Sequence, residues 1–267
     1  MTLGMGPALL FCPADRPERF TGALQKADAV ILDLEDAVLP DAKAQARRNI
    51  IAAELDTDRV IVRVNAPETA EFERDIDALR QTPFRTVMVA KSEDPAAFDA
   101  FGAEFELIAL CETARGVHRA GEIAAHERTI ALMWGAEDLV ASLGGMSSRF
   151  PDGRYRDVAR TARGQVLLAA GAYGRTAIDA VHLDIDDVAG LAAEAADAVA
   201  SGFEATACIH PSQVSVIRDA YRPDQGTITW AEAVLTAAEE ERGVFRFEGR
   251  MIDEPVLRHA RAVLSRR

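Results

Sequence analysis

Along the chain, short apolar runs of strand length alternate with longer segments whose apolar residues recur every three or four positions. The runs cover residues 8–14 (ALLFCPA), 29–35 (AVILDLE), 60–65 (VIVRVN), 86–91 (TVMVAK), 106–112 (ELIALCE) and 129–136 (TIALMWGA). A weaker run lies within 178–184 (IDAVHLD), and the last covers 205–211 (ATACIHP). Near-continuous apolar runs suit strands buried on both faces, and their alternation with amphipathic segments predicts parallel βα units. Helices are predicted over 41–55, with Asp41 after Pro40 as N-cap, and over 71–80, 95–101, 155–173 and 188–201. Eight strands with intervening helices predict an α/β fold, a (β/α)8 TIM-type barrel. A doubly wound open sheet is the rival that periodicity alone does not distinguish.

After Tyr221-Arg222-Pro223-Asp224 the pattern changes to a helix over 230–242, a Gly- and Phe-bearing stretch over 243–249, and a helix from Pro255 onward. The expected division is a catalytic barrel over 1–224 and a C-terminal helical arm over 225–267. The arm would pack on the barrel mouth or on a neighbouring subunit. A length of 267 residues and 49% hydrophobic residues supply a sizeable core without metal or disulfide scaffolding. The net charge of −13 argues against nucleic acid or an anionic membrane as partner. A small anionic substrate stays open, because a few arginines and a divalent cation reverse the field inside a cleft. Cys12, Cys111 and Cys208 are widely spaced within apolar runs, so buried reduced thiols are expected. With no basic leader before an apolar stretch and no run of membrane-spanning length, a cytoplasmic enzyme is expected.

Barrel enzymes build their sites from the C-terminal ends of the strands. Here those ends carry Asp33-Leu34-Glu35-Asp36, Arg63 and Asn65, Lys91, Glu112-Thr113, Glu137-Asp138 and His210-Pro211. Glu112 and Asp138 are the candidate metal ligands, since two carboxylates on adjacent strands can share one hard cation and leave its other positions to water and substrate, as Mg2+ prefers. Solvated loop carboxylates or helix caps are the alternative. Zinc has no supporting His or Cys cluster. Arg63, between Val62 and Val64, suits a carboxylate or enolate oxygen; the alternative is a buried pair with Glu35 or Asp36. Lys91 is either an ion-pair partner or an imine-forming amine. Arg16 and Arg19 lie in the loop after the first strand, where they could bind phosphates or make surface ion pairs. Ser147-Ser148-Arg149 after Gly144-Gly145 reads as a mobile loop. The five histidines, His210 included, read as structural.

The motifs LFCPADRPERF, ILDLEDAV, VRVN, ETARG, WGAEDL, CIHPSQ and FEGRMID occur in this order along nearly the whole chain. In this the chain resembles the citrate lyase β-subunit-like proteins of the HpcH/HpaI aldolase superfamily, which also includes malyl-CoA and citramalyl-CoA lyases. The resemblance implies a modified TIM barrel in trimers or hexamers, with magnesium (Mg2+) held by Glu112 and Asp138. It implies that Arg63 binds the carbonyl or enolate oxygen and that Glu35 and Asp36 sit beside the metal. Lys91, Gly135 and Ala136 join the substrate site, and Arg16 lies near the coenzyme A nucleotide. Asp253 is the residue that a neighbouring subunit's arm would deliver. Cys12-Pro13-Ala14 stands where relatives commonly carry Val-Pro-Gly, and losing the glycine restricts the backbone and how closely a ligand approaches it.

The expected chemistry is reversible cleavage of a β-hydroxyacyl-CoA to acetyl-CoA and a 2-keto acid. Arg63 would stabilise the thioester enolate and Asp253 would protonate its carbon. Metal-dependent aldol cleavage of a free hydroxy-keto acid is one alternative. A non-catalytic keto-acid-binding protein is the other.

Overall fold

The computed structural model describes residues 3–241 and 243–266. Eight parallel strands close into a barrel in sequence order, β8 pairing back onto β1. They are β1 (Ala8–Pro13), β2 (Ala29–Asp33), β3 (Val60–Val64), β4 (Thr86–Val89), β5 (Glu106–Cys111), β6 (Thr129–Trp134), β7 (Thr176–Asp179) and β8 (Ala205–Cys208). Around them lie α1 (Phe20–Lys26), α2 (Lys43–Ile51), α3 (Ala70–Leu79), α4 (Ala114–His118), α5 (Ala120–Ala125), α6 (Ala136–Ser142), α7 (Asp157–Ala172), α8 (Val188–Ser201) and α9 (Pro211–Tyr221). The open-sheet alternative is thereby excluded: closure leaves no sheet edge.

Each predicted strand ends short of its predicted run, and at β2 the reason is that the backbone turns to other partners. Asp33 accepts the N–H groups of Glu35 (2.9 Å) and Ala37 (3.2 Å), drawing them out of the ladder. Strand β7 begins at Thr176, ahead of the weak run from 178. Asp41 is not the cap of α2: it lies inside a 3-10 turn, Pro40–Ala42, and the cap position falls on Ala42. The segment over 95–101 is also a 3-10 helix (Pro95–Ala100), begun by Asp94 accepting from Ala96 N–H. The helix predicted over 188–201 is present with those bounds, capped by Asp187 and closed by Gly202 at φ 111°.

The core explains the site. Leu9, Ile31, Ile61, Met88, Leu110, Met133, Ile178 and Ala207, one from each strand, form one buried cluster. Side chains on a strand alternate faces, so the residue two further on also points into the barrel, one layer nearer its mouth. Those positions are Phe11, Asp33, Arg63, Ala90, Glu112, Gly135, Ala180 and Ile209. All but Ala90 line the cleft described below.

A second compact unit begins at Arg218, within α9. It contains α10 (Gln225–Glu240), capped by Asp224, the antiparallel hairpin of β9 (Phe245–Phe247) and β10 (Arg250–Ile252), and α11 (Glu254–Ser265). Ala231, Val234, Phe245, Ile252, Ala260 and Val263 form its own apolar cluster. Helix α10 starts five residues before the predicted Trp230. Arg242, the predicted end of that helix, lies outside the described residues, as does Arg267. No helix among the described residues is long and apolar enough to cross a membrane.

Candidate active site

Strands β2 and β3 pair with Asp33 opposite Arg63. Asp33 is fully buried and accepts from Arg63 Nε at 2.7 Å and Nη2 at 2.6 Å, a two-point clamp. Glu35 Oε2 lies 3.1 Å from Arg63 Nη1, and the Phe11 ring centroid lies 4.8 Å from the guanidinium carbon. Burial works against the guanidinium charge, but Asp33 above all, with Glu35 and Glu112, more than offsets it and holds the pKa above its ordinary value. The buried-pair alternative for Arg63 is therefore realised in part, with Asp33 as its main partner. Asp33 takes two of the five guanidinium N–H groups and Glu35 faces Nη1, which leaves the others to a ligand.

Glu112 follows β5 and is buried. Burial pushes its carboxyl up to about 8, and Asp138 and Glu35 add to the shift against Arg63 and Lys91. Asp138 lies in the first turn of α6 and lines the same cleft, which has a volume of about 220 Å³. Gly135 packs against Glu112, and a side chain there would force a shift. A Cβ there would come within 2.9 Å of both Glu112 Cβ and Oε2. Gly116 in α4 is constrained likewise, since its Cβ would meet the Ser92 carbonyl oxygen at 2.4 Å.

Lys91 hydrogen-bonds Glu35 through its ammonium and lies 3.2 Å from Asp36 Oδ2 and 3.7 Å from Asp138 Oδ1. Burial works against its charge, but Glu35 above all, with Glu112 and Asp138, raises its pKa well above the usual lysine range. The ion-pair reading of Lys91 is the one realised. Five carboxylates (Asp33, Glu35, Asp36, Glu112 and Asp138) thus surround two cations, Arg63 and Lys91. This excess of hard oxygen donors fits a divalent cation of the Mg2+ type. Among the described residues no three His, Cys, Asp or Glu converge closely enough to hold a metal unaided. Two carboxylates completed by water or substrate oxygens are a Mg2+ pattern, not a structural zinc pattern.

Of the other expected site residues, Ala136 lines the cleft with Gly135. Arg16 does not; it lies on the exposed loop after β1, 3.8 Å from Asp15. Ala14 is buried and has no left-handed φ, so the alanine is accommodated without strain. Asp253 lies in the second unit, where its carboxylate caps α11 by accepting from Val256 N–H at 3.4 Å. The Ser147–Arg149 stretch is tethered: Ser148 Oγ donates to Glu137 at 2.5 Å and Arg149 pairs with Glu194. Asn65 is structural, bonded to Lys43 and Asp75, and Lys43 in turn donates to the Leu34 and Glu35 carbonyls at 2.8 Å.

Sequence reasoning missed Asp33 as the arginine clamp and Phe11 as part of the wall. The signal was present, since each stands two residues beyond an interior core residue. A larger groove, about 920 Å³, opens outside the barrel between α7 and α8. Its lining acids Asp179 and Asp197 are already paired with Arg163, whereas at the barrel mouth carboxylates outnumber cations, so the barrel mouth is the better site.

A closed parallel barrel with paired carboxylates and a clamped arginine at its C-terminal mouth has the build of a barrel enzyme whose site lies at the strand ends. The model of the HpcH/HpaI aldolase/citrate lyase family matches residues 8–211, and the chain belongs to that family of carbon–carbon lyases. It is 56% identical to the citrate lyase subunit beta-like protein of Mycobacterium tuberculosis over 98% of this chain and 95% of that one. It is 30% identical to the human mitochondrial citramalyl-CoA lyase over 89% of this chain and 78% of that protein. Protein CitE of Mycobacterium tuberculosis, solved in complex with magnesium, acetoacetate and coenzyme A, superposes with a TM-score of 0.94. The two are 55% identical over 99% of this chain and 98% of that one.

Proposed function

We propose that this protein cleaves or forms a β-hydroxyacyl-CoA such as malyl-, citramalyl- or citryl-CoA, with acetyl-CoA and a 2-keto acid on the other side. The observation carrying this reading is the convergence of Glu112, Asp138 and the Asp33-clamped Arg63 on one cleft. Glu112 and Asp138 would hold Mg2+, which when bound supplies a Lewis acid for the hydroxyl and carboxylate of the substrate. Arg63 offers its remaining N–H groups to the thioester oxygen, which gains negative charge as the carbon–carbon bond breaks. Asp33 keeps the guanidinium plane fixed, so little reorganisation accompanies that change. Phe11, Leu110, Met133, Val181 and Ile209 form the apolar part of the wall and limit water near the reacting carbon. Asp253, brought by the arm of a neighbouring subunit in a homo-oligomer, would protonate the enolate carbon, and the proton lost from the substrate hydroxyl would restore it, so that no net proton is released.

The test is release of acetyl-CoA and a keto acid from malyl-, citramalyl- and citryl-CoA by purified protein with Mg2+ and then with EDTA. Metal-dependent release from one of the three is expected and identifies the substrate. No release from any of them refutes the proposal.

A further inference from the structure

Among the described residues only Lys91 and Glu248 combine a side chain with positive φ, both at 47°. Glu248 lies in the tight turn between β9 and β10, where such a φ is ordinary. Lys91 lies in no hairpin. A left-handed backbone at a non-glycine residue costs roughly 1–2 kcal/mol and persists only where the surroundings impose it.

The consequence of that conformation is visible on both sides of the residue. Its backbone N–H donates to Glu112 Oε1 at 3.0 Å. Its side chain reaches the acids contributed by two other elements: Glu35, Asp36 at 3.2 Å and Asp138 at 3.7 Å. Arg63, the other cation, is turned toward Asp33 and Glu35. One residue therefore touches or neighbours four carboxylates from the ends of β2 and β5 and from α6. Packed this closely beside a buried glutamate, those carboxylates would otherwise repel one another.

We infer that Lys91 is a positioning residue that pre-assembles this acid cluster, its backbone N–H orienting Glu112 and its ammonium serving as the countercharge for Glu35, Asp36 and Asp138. The inference rests on the reading above in taking Glu112 and Asp138 as the Mg2+ ligands. It assigns Lys91 neither substrate binding nor covalent chemistry.

The test compares Lys91→Met, which removes the charge, with Lys91→Arg, which keeps it. Calorimetric titration of substrate-free protein with Mg2+ should show Lys91→Met binding on the order of tenfold more tightly, because a repelling charge beside the ion is gone. Turnover at saturating Mg2+ should fall on the order of 10²-fold, because Glu35 and Asp36 lose their anchor. Tighter metal binding with slower turnover is a combination that mere loss of structure does not produce. Lys91→Arg should bind Mg2+ as the wild type does. In EDTA the melting temperature of Lys91→Met should lie below wild type at low salt and recover in high salt, as screened like charges require.

Metal affinity unchanged or weakened in Lys91→Met, or turnover unchanged, overturns the inference. If Lys91→Met does not fold, Lys91→Gly carries the same comparison, since glycine keeps the N–H and tolerates the backbone. Wild type that binds no Mg2+ and cleaves none of the three thioesters refutes the lyase reading instead. The salt dependence in EDTA then still decides the role of Lys91.

Discussion

Asp33 and Arg63 are register partners on neighbouring strands, and the carboxylate of one holds the guanidinium of the other at two points, 2.7 and 2.6 Å. The pairing sets the plane in which Arg63 presents its remaining N–H groups. Replacing Asp33 by Asn keeps the shape but removes the charge and one acceptor. Thioester cleavage should fall on the order of 10²-fold, with Arg63→Ala at least as severe. Steady-state kinetics on the cleaved thioester check this. Near-normal turnover in Asp33→Asn would show that the clamp is dispensable.

Glu112 links metal binding to pH. Its carboxyl, ordinarily near 4.5, is raised by burial to about 8, so below that pH it carries a proton that Mg2+ must displace. Affinity should therefore rise from about pH 6 to about pH 8 and then level off, with proton release seen as a buffer-dependent heat. A flat profile would mean that Glu112 is ionised throughout.

The same shift has a stability consequence of opposite sense. A carboxyl with a raised folded pKa favours folding below its unfolded value and loses that contribution as pH climbs through about 8. In EDTA, Glu112→Gln should therefore melt above wild type near pH 8, with the gap closing toward about pH 5. Parallel thermal scans test the sign.

Gly135→Ala places a Cβ 2.9 Å from Glu112 Oε2. Either the carboxylate or the Gly135–Asp138 turn must shift, and both belong to the proposed metal site. Mg2+ affinity should drop roughly 10–100-fold, the range for changes in the support of a ligand. Calorimetry on the substrate-free variant measures it, and unchanged affinity would place the ion elsewhere.

Cys12, Cys111 and Cys208 are buried thiols without disulfides. Burial pushes Cys12 up to about 11 and Cys111 up to about 12, so little thiolate forms near neutrality. A disulfide-exchange reagent should label none of the three in native protein and all three in denaturant. Rapid native labelling would reveal local opening of the barrel wall.

The barrel was legible in the chain because parallel strands are buried on both faces, and buried strands write long apolar runs. Strand ends were less legible, since hydrogen-bond partners rather than hydrophobicity end a strand, as Asp33 does at the end of β2. Short helices such as α4 and α6 escaped because five to seven residues carry too little periodicity to register.

The sequence by itself determined which residues could do chemistry: carboxylates, one arginine and one lysine at the ends of apolar runs, every second residue facing the barrel axis. It could not determine which of them meet, because Asp33 and Arg63 lie thirty positions apart and become partners only through strand register. The left-handed turn at Lys91 has no marker in composition, since lysine does not favour that backbone. Only closure of the barrel could decide that turn, by bringing the acids from β2, β5 and α6 within reach of one ammonium group.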